Sequence, residues 1–240
     1  MSRRARTALF LAGGAGLVAL LAWGFAGLPA FGDYHGVYGH LLNQRSLGQT
    51  HAMNTVVAVT FDYRGFDTLG EEFILFASVL GVALLLREAR SRPPEEVDVR
   101  EPFDPVRATG TIATPLFFLL GLFVIANGNL TPGGGFQGGV VTAVAIVLIG
   151  LAADRSVFHR LAPKPFADLL EGIGVGAYAA IGVGGVAAGA AFLQSFDERG
   201  KIGLLTSGGT IPLLNWATGI EVTAAVVLIA SEFFEELEER

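Results

Sequence analysis

The sequence contains no cysteine. That excludes disulfide frameworks, thiolate metal sites and cysteine nucleophiles. Charge is also scarce: 16% of residues are Asp, Glu, Lys or Arg, against about a quarter in a soluble domain. The charges present are clustered between apolar runs, and acids outnumber bases to give a net charge of −6. No basic stripe or aromatic–basic interleaving occurs, which argues against a nucleic-acid partner. The four histidines, His35, His40, His51 and His159, all fall outside the apolar runs. A haem held between helices would need histidines within them, and no Ser/His/Asp or paired-carboxylate hydrolase arrangement can be assembled. The chain is therefore expected to be non-catalytic, with no cofactor and no metal.

What is abundant is apolar. Hydrophobic residues make up 52% of the chain and mean hydropathy is +0.55. Glycine is 33 of 240 residues, roughly double the usual share of about 7%. A bilayer-spanning helix needs about 20 predominantly apolar residues. Runs 7–28, 109–127, 134–153, 172–192 and 211–230 meet that requirement. A sixth, 67–87, reaches it only by including the acids at its start, because 73–86 alone is too short. The run 50–62 is also too short to span and reads as re-entrant or interfacial, with Gly65 permitting a break before the next helix. The expected fold is all-α: a polytopic integral membrane protein of about six transmembrane helices embedded in the lipid bilayer.

The first run is longer than the h-region of a secretory signal and is read as an uncleaved anchor. With the amino terminus in the cytoplasm, twelve of the 16 basic residues lie on the cytoplasmic side. The positive-inside bias thus predicts that both termini are cytoplasmic. Segment 88–107 holds Pro93, Pro94, Pro102 and Pro105 among mixed charges, the composition of a solvated linker. It divides a two-helix unit, 1–87, from a four-helix domain, 108–235. Residues 236–240 form an acidic tail, and the helix end from Glu232 onward is expected to be solvated.

Charged residues inside spans are costly, about 2.5–3.5 kcal/mol for an ionised acid at a helix centre on insertion scales. Glu221 stands in the middle of 211–230, with small residues Ala217, Thr218, Ala224 and Ala225 three and four positions away. It reads either as a proton or cation relay or as a neutral acid joining helices by hydrogen bonds. Glu71 and Glu72 open the short run, and Arg64, Asp67 and Glu71 share one helical face. These could be intramembrane charges or an interfacial cluster anchoring the helix end. Residues 127–139 contain Pro132 followed by Gly133, Gly134 and Gly135, a tight helix-breaking connection. Gln137, Gly138 and Gly139 already belong to the next helix. The glycosylation pattern at Asn129–Thr131 is read as a false positive in so short a turn. Gly172, Gly176, Ala180, Gly184 and Ala188 recur every four residues, a small-residue ridge predicting close helix packing, within this chain or against a partner.

Two segments carry a family resemblance. Residues 129–139, NLTPGGGFQGG (Asn129, Leu130, Thr131, Pro132, Gly133, Gly134, Gly135, Phe136, Gln137, Gly138, Gly139), resemble the signature of the B-type component of Mrp-type, MnhB-family, multisubunit Na⁺/H⁺ antiporters. Residues 54–87, which open with NTVVAVTFDYRGFDTLGEE, are similar to an MbhE-type segment, which occurs at the carboxy end of the large A-type component or as a small separate subunit. The resemblance implies an accessory membrane subunit of an assembly that exchanges Na⁺ for H⁺. It also implies partners: large A- and D-type subunits and small subunits. Related modules occur in membrane-bound hydrogenases and other redox complexes, which supplies the alternative reading. A purely structural subunit is the third. The resemblance places the acid of DTLGE, here Glu71, on an ion route, matches Asp67 to the motif's aspartate, and leaves Glu72 where an apolar or hydroxyl residue is more usual. Glu221 joins this set on physical grounds.

Overall fold

The computed structural model describes residues 3–28, 32, 36–90, 104–152 and 155–238. His35, residues 91–103 of the expected linker, and Glu239 and Arg240 of the expected tail lie outside the described residues. All regular secondary structure among the described residues is helical. Among the described residues, six helices are long and apolar enough to cross a membrane.

Helix α1 (Arg3–Ala26) belongs to a unit that ends at Leu41. Its exposed Leu9, Phe10, Leu17, Val18 and Trp23 leave it without a polar face, as suits a helix solvated by lipid. Helix α2 (Val37–Thr50) leads into the second unit, Leu42–Arg240. That unit continues with α3 (Thr55–Ala58), a π-helical turn (Val59–Tyr63), α4 (Gly65–Arg90), α5 (Asp104–Ala126), α6 (Gly135–Ala152), α7 (Arg155–Leu161), α8 (Lys164–Ala187) and α9 (Ile211–Glu238).

Helix α9 is the central element of this unit and packs against α4, α5, α6 and α8. Glycines let the backbones meet. A methyl group on Gly135 would lie 2.6 Å from the Asn215 carbonyl oxygen, and one on Gly139 2.8 Å from Val222 Cβ. On the other side of α6, a methyl on Gly138 would lie 2.7 Å from the Gly121 carbonyl oxygen of α5. Lipid tails are as apolar as leucine, so helices in a bilayer associate through such close contacts rather than by hiding apolar surface from water.

Helix α8 departs from expectation in two ways. It starts at Lys164 rather than 172, because Asp168 and Glu171 interrupt the apolar run without breaking the helix. It ends at Ala187, where Gly189, at φ 81°, turns the chain and the Ala190 amide donates to the Gly185 carbonyl. The period-four ridge is not the face that meets α9. Gly172 and Gly176 have nothing within 4 Å of a would-be methyl group, whereas Gly174 meets Glu221 of α9 at 2.5 Å. The packed stripe is Gly174, Tyr178, Gly182 and Gly185, all buried. Gly174 meets α9, the Tyr178 hydroxyl donates to the Gly65 carbonyl, and Gly182 and Gly185 meet the segment 191–194 that follows the helix.

The end of α9 corrects a further expectation. Glu232 is 3% exposed and Glu236 8%, so this helix end is not uniformly solvated. Phe234 stacks edge-on against Phe158 of α7 at 4.9 Å between ring centroids, and Glu232 and Glu235 both pair with Lys164.

Candidate functional site: buried acids along the central helix

The short apolar segment 50–62 is held by protein. Asn54 caps α3, its Oδ1 accepting from the Val56 and Val57 amides at 3.1 and 3.4 Å. Its Nδ2 donates to the carbonyls of Gly128, Thr131 and Gly133 at 2.9, 2.8 and 3.2 Å. One side chain thereby organises both the helix start and the glycine turn. Asn129 is fully buried: its carbonyl accepts from the Met53 and Asn54 amides, and its side chain donates to the Ser207 carbonyl at 2.7 Å. A side chain so enclosed is no glycosylation acceptor. Gly133 and Gly134, at φ 127° and 146°, occupy conformations that a side chain would strain. They aim the Gly135 amide at Asn215 Oδ1 on α9, 2.8 Å away.

From Asn215 the polar residues of α9 lead inward. Thr218 and Glu221 follow at successive turns, each fully buried. Glu72 of α4 is also fully buried, beside the Thr218 hydroxyl. Neither oxygen of Glu72 or Glu221, nor the Thr218 hydroxyl, makes a hydrogen bond of ordinary geometry within the described residues. Thr218 and Glu221 are about 4.5 Å apart along the helix axis. Glu221 lies level with Gly174, and one turn along α8 from there stands Glu171, 4% exposed, with Oε1 likewise unpartnered.

Two recesses flank this row. Near the glycine turn, a space of about 170 Å³ is lined by Thr60, Phe61, Glu71, Gly133, Gly134, Gly135 and Gln137, among others. Near the start of α8, a cavity of about 320 Å³ has Val79, Leu80, Ala83, Leu84 and Leu228 on its apolar side and Lys164, Asp168, Glu171 and Glu232 on its polar side.

The expected residues therefore separate. Glu72 and Glu221 converge on the α4–α8–α9 core. Glu71 is exposed and lines the smaller recess, and Asp67 is exposed and ion-paired with Arg64 at 2.5 Å. Successive helix residues point about 100° apart, so only one of two adjacent glutamates can face α9. Thr68, Glu72 and Val79, all buried, mark that face. Of the turn residues, Gly134, Gly135, Gly138 and Gly139 are buried in the packing; Thr131, Gly133 and Phe136 are half-buried, and Pro132 and Gln137 exposed. Glu171 is absent from the sequence candidates; the signal that points to it is an acid three residues before Gly174 on the inward face. Asp62 lies in the π-helical turn that precedes α4. Burial lifts its carboxyl above the ordinary aspartate range, and the Arg199 guanidinium opposes that rise.

These features define a multi-pass helical membrane protein with acids enclosed between tightly packed spans. The chain belongs to the family of domains related to the MnhB subunit of Na⁺/H⁺ antiporters, which matches residues 105–228, and residues 1–103 match the MbhE family of MBH subunits. It is 30% identical over 193 residues to a probable K⁺/H⁺ antiporter A/B subunit of Rhizobium meliloti, covering 71% of this chain and 19% of that one. Its fold is that of a chain in the archaeal membrane-bound sulfane sulfur reductase, a respiratory membrane complex: TM-score 0.73, 31% identity, 95% of this chain and 97% of that one. A chain of the Mrp complex from Dietzia sp. DQ12-45-1b shares the fold with TM-score 0.73 at 23% identity, over 97% of this chain and 26% of that one.

Proposed function

We propose that the chain is a non-catalytic accessory subunit of a monovalent-cation/proton antiporter assembly, with Glu72, Thr218 and Glu221 at the centre of its ion route. The observation that carries this reading is the full burial of two carboxyl groups among packed spans, Glu72 beside the Thr218 hydroxyl and Glu221 one turn further along α9. Burying an unpartnered acid opposes folding and insertion, and such residues mark ion or proton pathways. Glu71 and the recess it lines supply one mouth of the route, with Asp67 beside it. The cavity at Lys164 supplies the other. The distribution of basic residues favours a cytoplasmic position for the Lys164 end. The 1–87 and 108–235 segments act as one functional unit, and the exposed apolar helix faces meet the large A- and D-type and small subunits of the assembly.

The test is cation/proton exchange by the intact assembly in membrane vesicles. Glu72→Gln and Glu221→Gln are expected to lower exchange by about tenfold or more, the scale of a lost proton-transfer group, with subunit composition unchanged. Wild-type exchange by both variants in a fully assembled complex would refute the route. Orientation is checked in the same vesicles with introduced cysteines: an impermeant maleimide should reach Lys201→Cys from outside but not Arg160→Cys.

A second reading is favoured by one observation: the chain covers 97% of the sulfane sulfur reductase chain but 19% of the rhizobial antiporter chain. Here the same ion route serves a redox-driven complex whose electron chemistry resides on partner subunits. Iron–sulfur signals in the tag-purified assembly would select this reading, and their absence from an exchange-active assembly would reject it.

A further inference from the structure

Glu221 has no polar way out along its own helix. Between Glu221 and Ser231, every buried residue of α9 is apolar: Val222, Ala224, Ala225, Val227 and Leu228. The half-buried Thr223 is committed elsewhere, its hydroxyl donating to the carbonyls of Gly219 and Gly139 at 2.6 and 3.2 Å. Ala225 and Leu228 join Val79 of α4 and Ala143 of α6 in an apolar cluster, against which Leu75, Ile146 and Val147 pack. This plug stands between the enclosed Glu221 and the cavity of about 320 Å³ near the start of α8, whose wall includes Leu228. Helix α8 bypasses it. Its inward face carries Ala167, Glu171, Gly174 and Tyr178, all buried, and Gly174 is pressed against the backbone of Glu221. Glu171 stands one turn from that contact toward Lys164, about 4.5 Å of axial rise, and forms part of the cavity wall. Its Oε1 is enclosed without a hydrogen-bond partner among the described residues, as are both oxygens of Glu221. The other ionisable groups of the cavity wall, Lys164 and Asp168 of α8 and Glu232 of α9, lie further toward the helix ends. Glu72 of α4 stands with Thr218, on the far side of Glu221 from the cavity, and α6 contributes no charged residue.

We infer that Glu171 is the proton relay between Glu221 and this cavity, a role that rests on the route proposed above. Burying a lone ionised carboxyl is costly, whereas a protonated one can both donate and accept a hydrogen bond. In the inward step, the O–H bond of Glu171 breaks as one forms on the Glu221 carboxylate, directly or across one water. Glu171 then takes its next proton from water in the cavity, whose volume admits several molecules at about 30 Å³ each. The outward step reverses the same bonds. A proton needs one oxygen at a time, so a single carboxyl beside the plug is enough to carry it.

The experiment follows protons without any cation gradient. The detergent-solubilised intact assembly is transferred from ordinary to heavy water, and the carboxyl infrared band lost in Glu221→Gln is followed as it shifts on deuteration. Glu171→Ala is expected to slow that shift by about tenfold or more. Formate, a weak acid small enough for the cavity, should restore the rate in Glu171→Ala and leave the wild type unchanged, and Glu171→Asp should keep part of the rate. Wild-type or faster deuteration in Glu171→Ala overturns the relay, and so does the lack of a protonated Glu221 band at every pH. Slowing that formate does not relieve assigns Glu171 a structural task and also overturns it. Slowed, formate-rescued deuteration beside undiminished cation/proton exchange by Glu221→Gln would uphold the relay and refute the route.

Discussion

Replacing Gly174 by alanine puts a methyl group 2.5 Å from Glu221 Cβ, 2.7 Å from its amide nitrogen and 2.8 Å from its Cα. Carbon atoms prefer about 3.5–4.0 Å, so α8 and α9 would have to part by about 1 Å at the level of Glu221. The obstructing atoms are backbone and Cβ, which no rotamer change removes. Overpacking of this kind costs about 1–3 kcal/mol, equivalent to about 2–12 °C in Tm for a domain of this size. Gly172 and Gly176 flank it on the same helix and meet nothing within 4 Å. Alanine there should be neutral or stabilising, by up to about 1 kcal/mol of helix propensity. Thermal unfolding of the isolated chain in detergent, followed by tryptophan fluorescence through Trp216 on α9, makes the comparison. An unchanged Tm for Gly174→Ala beside a fall for Gly176→Ala would mean that the regular period-four ridge, not the stripe through Gly174, carries the helix contact.

Asn54→Asp should destabilise the chain nearly as much as Asn54→Ala, because the carboxylate keeps the cap of α3 but cannot donate to the carbonyls of Gly128, Thr131 and Gly133. The expected loss is about 1–3 kcal/mol, read by chemical or thermal unfolding; a fully stable Asn54→Asp would show that the cap alone matters. Asp62 gives a pH signature. Its folded carboxyl holds a proton more tightly than the unfolded one, so its contribution is present below the ordinary value of 3.8 and is lost as pH rises through the raised folded value. Asp62→Asn should flatten the fall in Tm across that interval, and a slope identical to wild type would count against it.

The spans were legible because apolar runs of the right length are a demanding pattern in any sequence, and in this one charges bound them. Legibility failed where a polar residue faces inward. Asp168 and Glu171 made the beginning of α8 look like loop, although Glu171 is buried and shares a recess with residues of α4 and α9, which only the fold reveals. The choice between Glu71 and Glu72 needed the face of α4, which Thr68 and Val79 identify but which the motif's own order of residues obscured. The burial of Glu232 and Glu236 was hidden for a related reason. An acidic helix end looks solvated until a lysine from a distant helix, Lys164, is brought against it.

The Asn54 clamp and the packing of α4 on α9 join residues matched to the MbhE family with residues matched to an MnhB-related domain. Were those two segments separate polypeptides, each of these contacts would be an association step, weakened by dilution in the membrane. Here one covalent chain carries both, and a tether of this length holds its ends at an effective concentration on the order of millimolar. The two halves of the seam are thus made at fixed one-to-one stoichiometry.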